Sequence, residues 1–205
     1  MNQVVIVDYG MCNLDSVQRA FEECGANVVV TDQPREIEHA ARIILPGVGA
    51  FPEAMRNITQ RGLMPVLQEQ VLERQRPFLG ICLGMQLLAT RGMEGEPTSG
   101  LGLIDGVTQR LTTNAVDRHL PHIGWNEVVQ RKQSPLFEGI EADRDFYFVH
   151  SYHLQPVSDA DVVGWTEYGA GFVSAVQREW IFGVQFHPEK SQLAGFQLIR
   201  NFLRV

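Results

Sequence analysis

Short apolar runs recur along the first part of the chain, with helix-like stretches between them. VVIVD (4–8), NVVVT (27–31), ARIILPG (41–47) and PFLGI (77–81) have the length and β-rich content of buried strands. Between the first two, LDSVQRAFEECG sets Val17, Ala20, Phe21 and Cys24 at helical spacing, and Gly25 marks a stop. Strands that alternate with helices predict a parallel sheet covered on both faces. From about residue 98 to 185 the pattern changes. GVTQRLTT, NEVVQRK, RDFYFVHSY, FVSAVQRE and IFGVQFH are strand-like, with short turns and no clear helix between them. The closing SQLAGFQLIRNFL has Leu193, Phe196, Ile199 and Phe202 near helical spacing, which predicts a helix packed back on the sheet. The expected fold is α/β: a three-layer, doubly wound, mostly parallel sheet with a mixed or antiparallel extension in the second half. It is expected to form one domain over residues 1–205.

Composition narrows the possible partners. A length of 205 residues suits one large α/β domain with a sizeable core. A net charge of -7 argues against nucleic acid and anionic membranes as partners. Cys12, Cys24 and Cys82 are the three cysteines and form no CxxC pair, so a reducing compartment without a disulfide framework is expected. The start, MNQVVIVDYG, enters a strand without a basic leader region, and no apolar run has membrane-spanning length. A cytoplasmic protein is expected.

Candidate chemistry centres on GICLGMQLL (80–88). Gly-x-Cys-x-Gly between an apolar strand and a helix-like stretch predicts a sharp elbow that holds Cys82 at the sheet's carboxyl edge. The positive end of the following helix favours thiolate over thiol. A thiol also needs a base. His187, in FGVQFHPEK, ends an apolar strand, and Pro188 keeps it out of helical geometry. In an extended segment Glu189 points to the same side and can accept the imidazole Nδ1 proton. Cys82, His187 and Glu189 thus supply nucleophile, base and orienter. The glycine-rich ILPGVGAF (44–51) is either a plain turn or a loop of backbone donors, with Gly47 and Gly49 permitting unusual backbone angles. The donors would be the N–H of Leu83 and one from this loop, each worth about 2.7–4 kcal/mol to a developing oxyanion.

Other residues carry less. His39 lies in a polar stretch and reads as surface. His119 with His122, and His150 with His153, have a spacing that suggests metal ligands, but no third ligand stands at matching spacing, so no metal and no cofactor are expected. Cys12 is a loop cysteine without a base and reads as inert. The 47–49 glycines lack the Lys-Ser/Thr of a phosphate loop. Met85 and Leu88 read as core, and Trp125 on its own would too.

PGVG, GICLGMQLL and FGVQFHPE together resemble class I glutamine amidotransferases. PHIGWN (121–126), YFVHSY (147–152) and HPEKS (187–191) narrow the resemblance to the glutaminase subunits of imidazole glycerol phosphate synthases, over essentially the whole chain. The resemblance implies hydrolysis of glutamine to glutamate and ammonia, and passage of ammonia to a separate barrel cyclase subunit. It implies that Cys82 forms a glutamyl thioester, with His187 and Glu189 completing the triad. Val48 and Leu83 would form the oxyanion hole, the Gly47–Val48 peptide turning only when the partner is loaded. Gly49, Gln86, Glu94, Ser151 and Tyr152 match glutamine-holding positions, and Asn13, Trp125, Tyr147 and Lys190 match positions at the partner interface. The chain departs from the family in DYGMCN, where many relatives have glycine before the asparagine, and at Ile123, where Met is commoner. A stand-alone cysteine hydrolase and a non-catalytic binding module on the same fold are the alternatives.

Overall fold

The computed structural model describes residues 3–116 and 119–205. Met1 and Asn2, which begin the segment read above as lacking a leader, lie outside them, as do Asp117 and Arg118. The first half alternates as the pattern predicts: β1 (Gln3–Val7), α1 (Leu14–Glu23), β2 (Asn27–Thr31), α2 (Pro34–Ile37), β3 (Arg42–Gly47), α3 (Phe51–Gln60), α4 (Leu63–Gln68), β4 (Phe78–Cys82) and α5 (Leu83–Gln86). The second half is mainly strands: β5 (Ala89–Gly92), β6 (Thr98–Ser99), β7 (Ile104–Arg110), β8 (His122–Gln130), β9 (Arg144–His150), β10 (Tyr152–Pro156), β11 (Val162–Thr166), β12 (Phe172–Arg178) and β13 (Ile181–Val184). The helix α6 (Gln192–Phe202) closes the chain.

The main sheet runs β2-β1-β3-β4-β13-β12-β11-β8-β9. Its first five strands are parallel. The next four pairings are antiparallel. The expected extension therefore exists, but part of it leaves this sheet: β10-β7-β5-β6 forms a second one. Strand alternation separates two cores. Val5, Val7, Ile43 and Leu45 pack with Phe51, Ile58 and Leu63 on one face, and Val4, Ile6 and Ile44 pack with Phe21, Leu198 and Phe202 on the other. This is the three-layer arrangement.

Two expectations need correction. Leu193 is 79% exposed; the buried face of α6 is Gly195, Leu198, Ile199 and Phe202, with Asn201 bonded to the Leu136 and Glu138 carbonyls. The helix after Cys82 is one turn long and does not reach Leu88. The Leu87 and Leu88 carbonyls instead accept from Leu101, Leu103 and Ile104. Among the described residues no helix is long and apolar enough to cross a membrane.

Candidate active site

Parallel pairing places β4 between β3 and β13, so Gly47 lies in register with Cys82, and Val184 with Ile81. The carboxyl ends of these three strands converge, as ligand sites do in open α/β sheets. Cys82 sits at the turn from β4 into α5 with φ 55° and ψ -110°. Positive φ at a non-glycine residue is strained, and such strain concentrates at nucleophile elbows. A neighbouring glycine makes the turn possible: a Cβ on Gly84 would collide with the Leu45 carbonyl oxygen.

Cys82 is buried rather than projecting into open solvent, at 5% exposure. It opens onto a cleft of about 300 Å³. Gly49, Gln86, Glu94, Ser151 and Tyr152 all line this cleft, as do the exposed Val48 and the buried Leu83. Two of the lining polar groups are already engaged. Gln86 Nε2 donates to the Tyr152 carbonyl and to Gln185 Oε1, and Glu94 Oε2 accepts from Phe51 N at the start of α3.

His187 Nδ1 bonds Glu189 Oε1 at 2.7 Å, and both side chains are buried. The contact is made, but not through an extended segment. Pro188–Lys190 is a 3-10 turn that brings Glu189 to the Nδ1 edge of the ring. The turn is pinned by Ser191 Oγ, which donates to the His187 carbonyl and accepts from Tyr147 N; His187 N donates to the Tyr147 carbonyl. Burial acts to lower the His187 pKa. The charge and contact of Cys82, then Glu189, outweigh it and push the value up to about 10. Among the described residues, His187 Nε2 nevertheless has no partner in hydrogen-bond geometry. Cys82 thus acts on the imidazole through charge and close contact, and Nε2 is the ring nitrogen left for proton transfer.

The oxyanion loop adds an unexpected contact. Val48 N donates to the Met11 carbonyl at 2.8 Å, so this donor is engaged by the loop after β1. Gly49 has φ +105°, as expected for a glycine-dependent turn. Gly47 does not use positive φ. Its lack of a side chain serves a close approach instead, since a Cβ there would run into the Tyr9 hydroxyl.

The remaining candidates separate cleanly. Trp125 is 48% exposed and packs edge-on against Tyr147 across the β8–β9 pair, with Lys190 Nζ 5.7 Å from the Tyr147 ring centre. Asn13 is exposed before α1. His39 and His119 are exposed, whereas His122, His150 and His153 are buried. His122 Nδ1 and His150 Nε2 lie 3.1 Å apart, and burial lowers His150 to about 3 and His153 to about 4. Among the described residues no cluster of three His, Cys, Asp or Glu side chains is placed to hold a metal. Cys12 donates to the Pro46 carbonyl at 3.3 Å, and burial pushes its thiol up to about 12, so it is a poor nucleophile. Cys24 is also free. Sequence reasoning missed Gln185, whose Nε2 lies 3.7 Å from the Cys82 sulfur. A glutamine two residues before His187, buried at the end of an apolar strand, was the available signal.

The family model "Glutamine amidotransferase class-I" matches residues 5–205. The chain belongs to the class-I glutamine amidotransferases. Within that family it is 48% identical to imidazole glycerol phosphate synthase subunit HisH of Moorella thermoacetica, over 98% of this chain and 94% of that protein. It is 45% identical to the protein of the same name from Cereibacter sphaeroides, over 97% of each. Two solved structures share the fold at lower identity. One described as glutamine amidotransferase superposes with a TM-score of 0.75 at 19% identity, over 98% of this chain and 97% of that one. PurLQS from Thermotoga maritima gives 0.70 at 20%, with the same coverage. As an amidotransferase of this class, the chain is a glutamine-dependent enzyme.

Proposed function

We propose that the chain is the glutaminase subunit of an imidazole glycerol phosphate synthase, working in the cytoplasm beside a barrel cyclase subunit and serving histidine biosynthesis. The observation that carries this reading is the buried Cys82–His187–Glu189 set, with Cys82 lining a cleft, in a chain with full-length relatives named HisH. Cys82 attacks the side-chain amide carbon of glutamine. His187 protonates the departing nitrogen, which leaves as ammonia, and a glutamyl thioester remains. His187 then takes a proton from water, which attacks the thioester; glutamate leaves and the thiol is restored. Glu189 holds the ring through Nδ1. Leu83 N–H opens α5 and is one of the helix donors without an intrahelical acceptor, suited to the oxyanion. Gly49, Gln86, Glu94, Ser151 and Tyr152 hold the substrate. Asn13, Trp125, Tyr147 and Lys190 face the cyclase. Ammonium has no lone pair with which to attack, so ammonia made in a docked site keeps its reactivity.

The Met11 bond on Val48 supports a gated site. A stand-alone hydrolase would keep both oxyanion donors aimed at the cleft. With one turned away, the isolated chain should bind glutamine and hydrolyse it slowly. The cyclase, loaded with its phosphorylated ribulosyl aminoimidazole substrate, should raise kcat by roughly 10²–10³ with a smaller effect on KM. Steady-state glutaminase assays with and without the loaded cyclase check this. Full activity in the isolated chain would sink the gate and leave the triad standing. Cys82→Ala should abolish glutamine-dependent product formation while added ammonium salts still sustain the cyclase. Glutamine turnover above a trace in that variant would assign the nucleophile elsewhere.

A further inference from the structure

Tyr9 stands beside the oxyanion peptide without a part in the chemistry so far. It follows β1 and is fully buried. Its hydroxyl has no hydrogen-bond partner among the described residues. Cys12 acts on it through charge and a side-chain contact, but that contact falls outside hydrogen-bond geometry, and the Cys12 sulfur directs its own hydrogen to the Pro46 carbonyl. The phenol oxygen occupies the space that a Gly47 side chain would fill, and Leu83 Cβ and the Gly84 nitrogen border the same spot at 3.0 and 3.3 Å. An unpaired donor therefore sits between the oxyanion strand and the nucleophile elbow. Burying it unpaired is unfavourable, which calls for a state in which it is paired.

The geometry of a peptide supplies that state. In a planar trans peptide the N–H and C=O point in opposite directions. The Val48 N–H now points at the loop after β1, where Met11 accepts it. Turning this peptide to aim the N–H at the substrate carries the Gly47 carbonyl to the loop side. On that side the Met11 carbonyl is an acceptor that cannot satisfy it, whereas the Tyr9 hydroxyl, which stands against Gly47, is a donor that can.

We propose that Tyr9 is a positioning residue for glutamine hydrolysis: its hydroxyl donates to the Gly47 carbonyl once the Gly47–Val48 peptide has turned, and holds the Val48 donor in its working orientation. This rests on the reading of the site as a gated glutaminase. The hydroxyl favours the turned state, because it is unpaired at rest and paired after the turn. Burial raises the Tyr9 pKa well above that of an ordinary phenol, so the donor stays neutral at working pH.

Tyr9→Phe removes one oxygen and tests the role. With the substrate-loaded cyclase, kcat should fall about five- to tenfold, the worth of one neutral hydrogen bond, while KM for glutamine stays within about twofold. The γ-aldehyde analogue of glutamine forms a thiohemiacetal with Cys82 whose oxygen needs the same donor. Its affinity for the loaded complex should fall by the same factor. The melting temperature of the isolated variant should hold or rise, because an unpaired hydroxyl has gone. Equal kcat in wild type and variant, or an effect confined to KM, would overturn the proposal. So would a variant with a clearly lower melting temperature, since its hydroxyl must then have a partner at rest. If the loaded cyclase does not stimulate the wild type at all, the gated reading fails first and the Tyr9 proposal with it.

Discussion

His187 is a histidine that burial should keep neutral, yet the sulfur of Cys82 and the Glu189 carboxylate push its pKa up to about 10. Cys82→Ser leaves the burial and the Glu189 bond in place but removes the ionisable sulfur. The His187 pKa should therefore drop, read from ring-nitrogen NMR shifts across pH; an unchanged titration would refute the coupling. The sign for stability follows. A pKa of about 10 in the fold against about 6.5 in the unfolded chain gives a contribution that is complete below about pH 6.5 and lost as pH rises to about 10. At this scale Cys82, His187 and Glu189 were legible because glycines flank one and a proline follows another. Tyr9 and Met11 were not. Their significance lies in a contact with residues 47–48, and nothing in DYGMCN announces that a carbonyl there will meet the Val48 N–H.

The junction of β4 and α5 depends on backbone proximity more than on side-chain packing. Gly84→Ala would drive a methyl group into the Leu45 carbonyl, a rigid atom of the neighbouring strand. It should cost about 3–5 kcal/mol, seen as a lower denaturation midpoint at an unchanged slope. A loss under about 1 kcal/mol would mean that the elbow yields more easily than this contact suggests. The parallel strands were legible as apolar runs because they are covered on both faces. The length of α5 was not, since MQLL suits a helix and only the distant amides of Leu101, Leu103 and Ile104 divert the chain. The second sheet was hidden for a similar reason: β10 pairs with β7 across more than forty residues, and local pattern carries no record of that partner. Leu193 fits the helical spacing of α6 but faces outward, because position in a period does not say which side meets the core.

Across the whole molecule, the proposed partner face is joined to the catalytic turn. Tyr147 contacts Trp125 by its ring and His187 and Ser191 by its backbone. A half-exposed tryptophan beside Ile123, itself 61% exposed, is the kind of anchor that dominates interface energy. Trp125→Ala should weaken cyclase binding by about 10- to 30-fold, or about 1.4–2 kcal/mol, measured by titration calorimetry. The melting temperature of the isolated chain should hardly move. Binding that is unaffected would place the partner on another face. The pairing of β4 with β13 has a consequence for how the enzyme is made. The strands touch in the sheet, but Cys82 leaves the ribosome about a hundred residues before His187. At about 5–20 residues per second, the nascent thiol spends about 5–20 s without its base. Its reactivity is thus lent by the last strand to join the sheet, and a half-synthesised chain carries an ordinary cysteine through the cell's crowd of electrophiles.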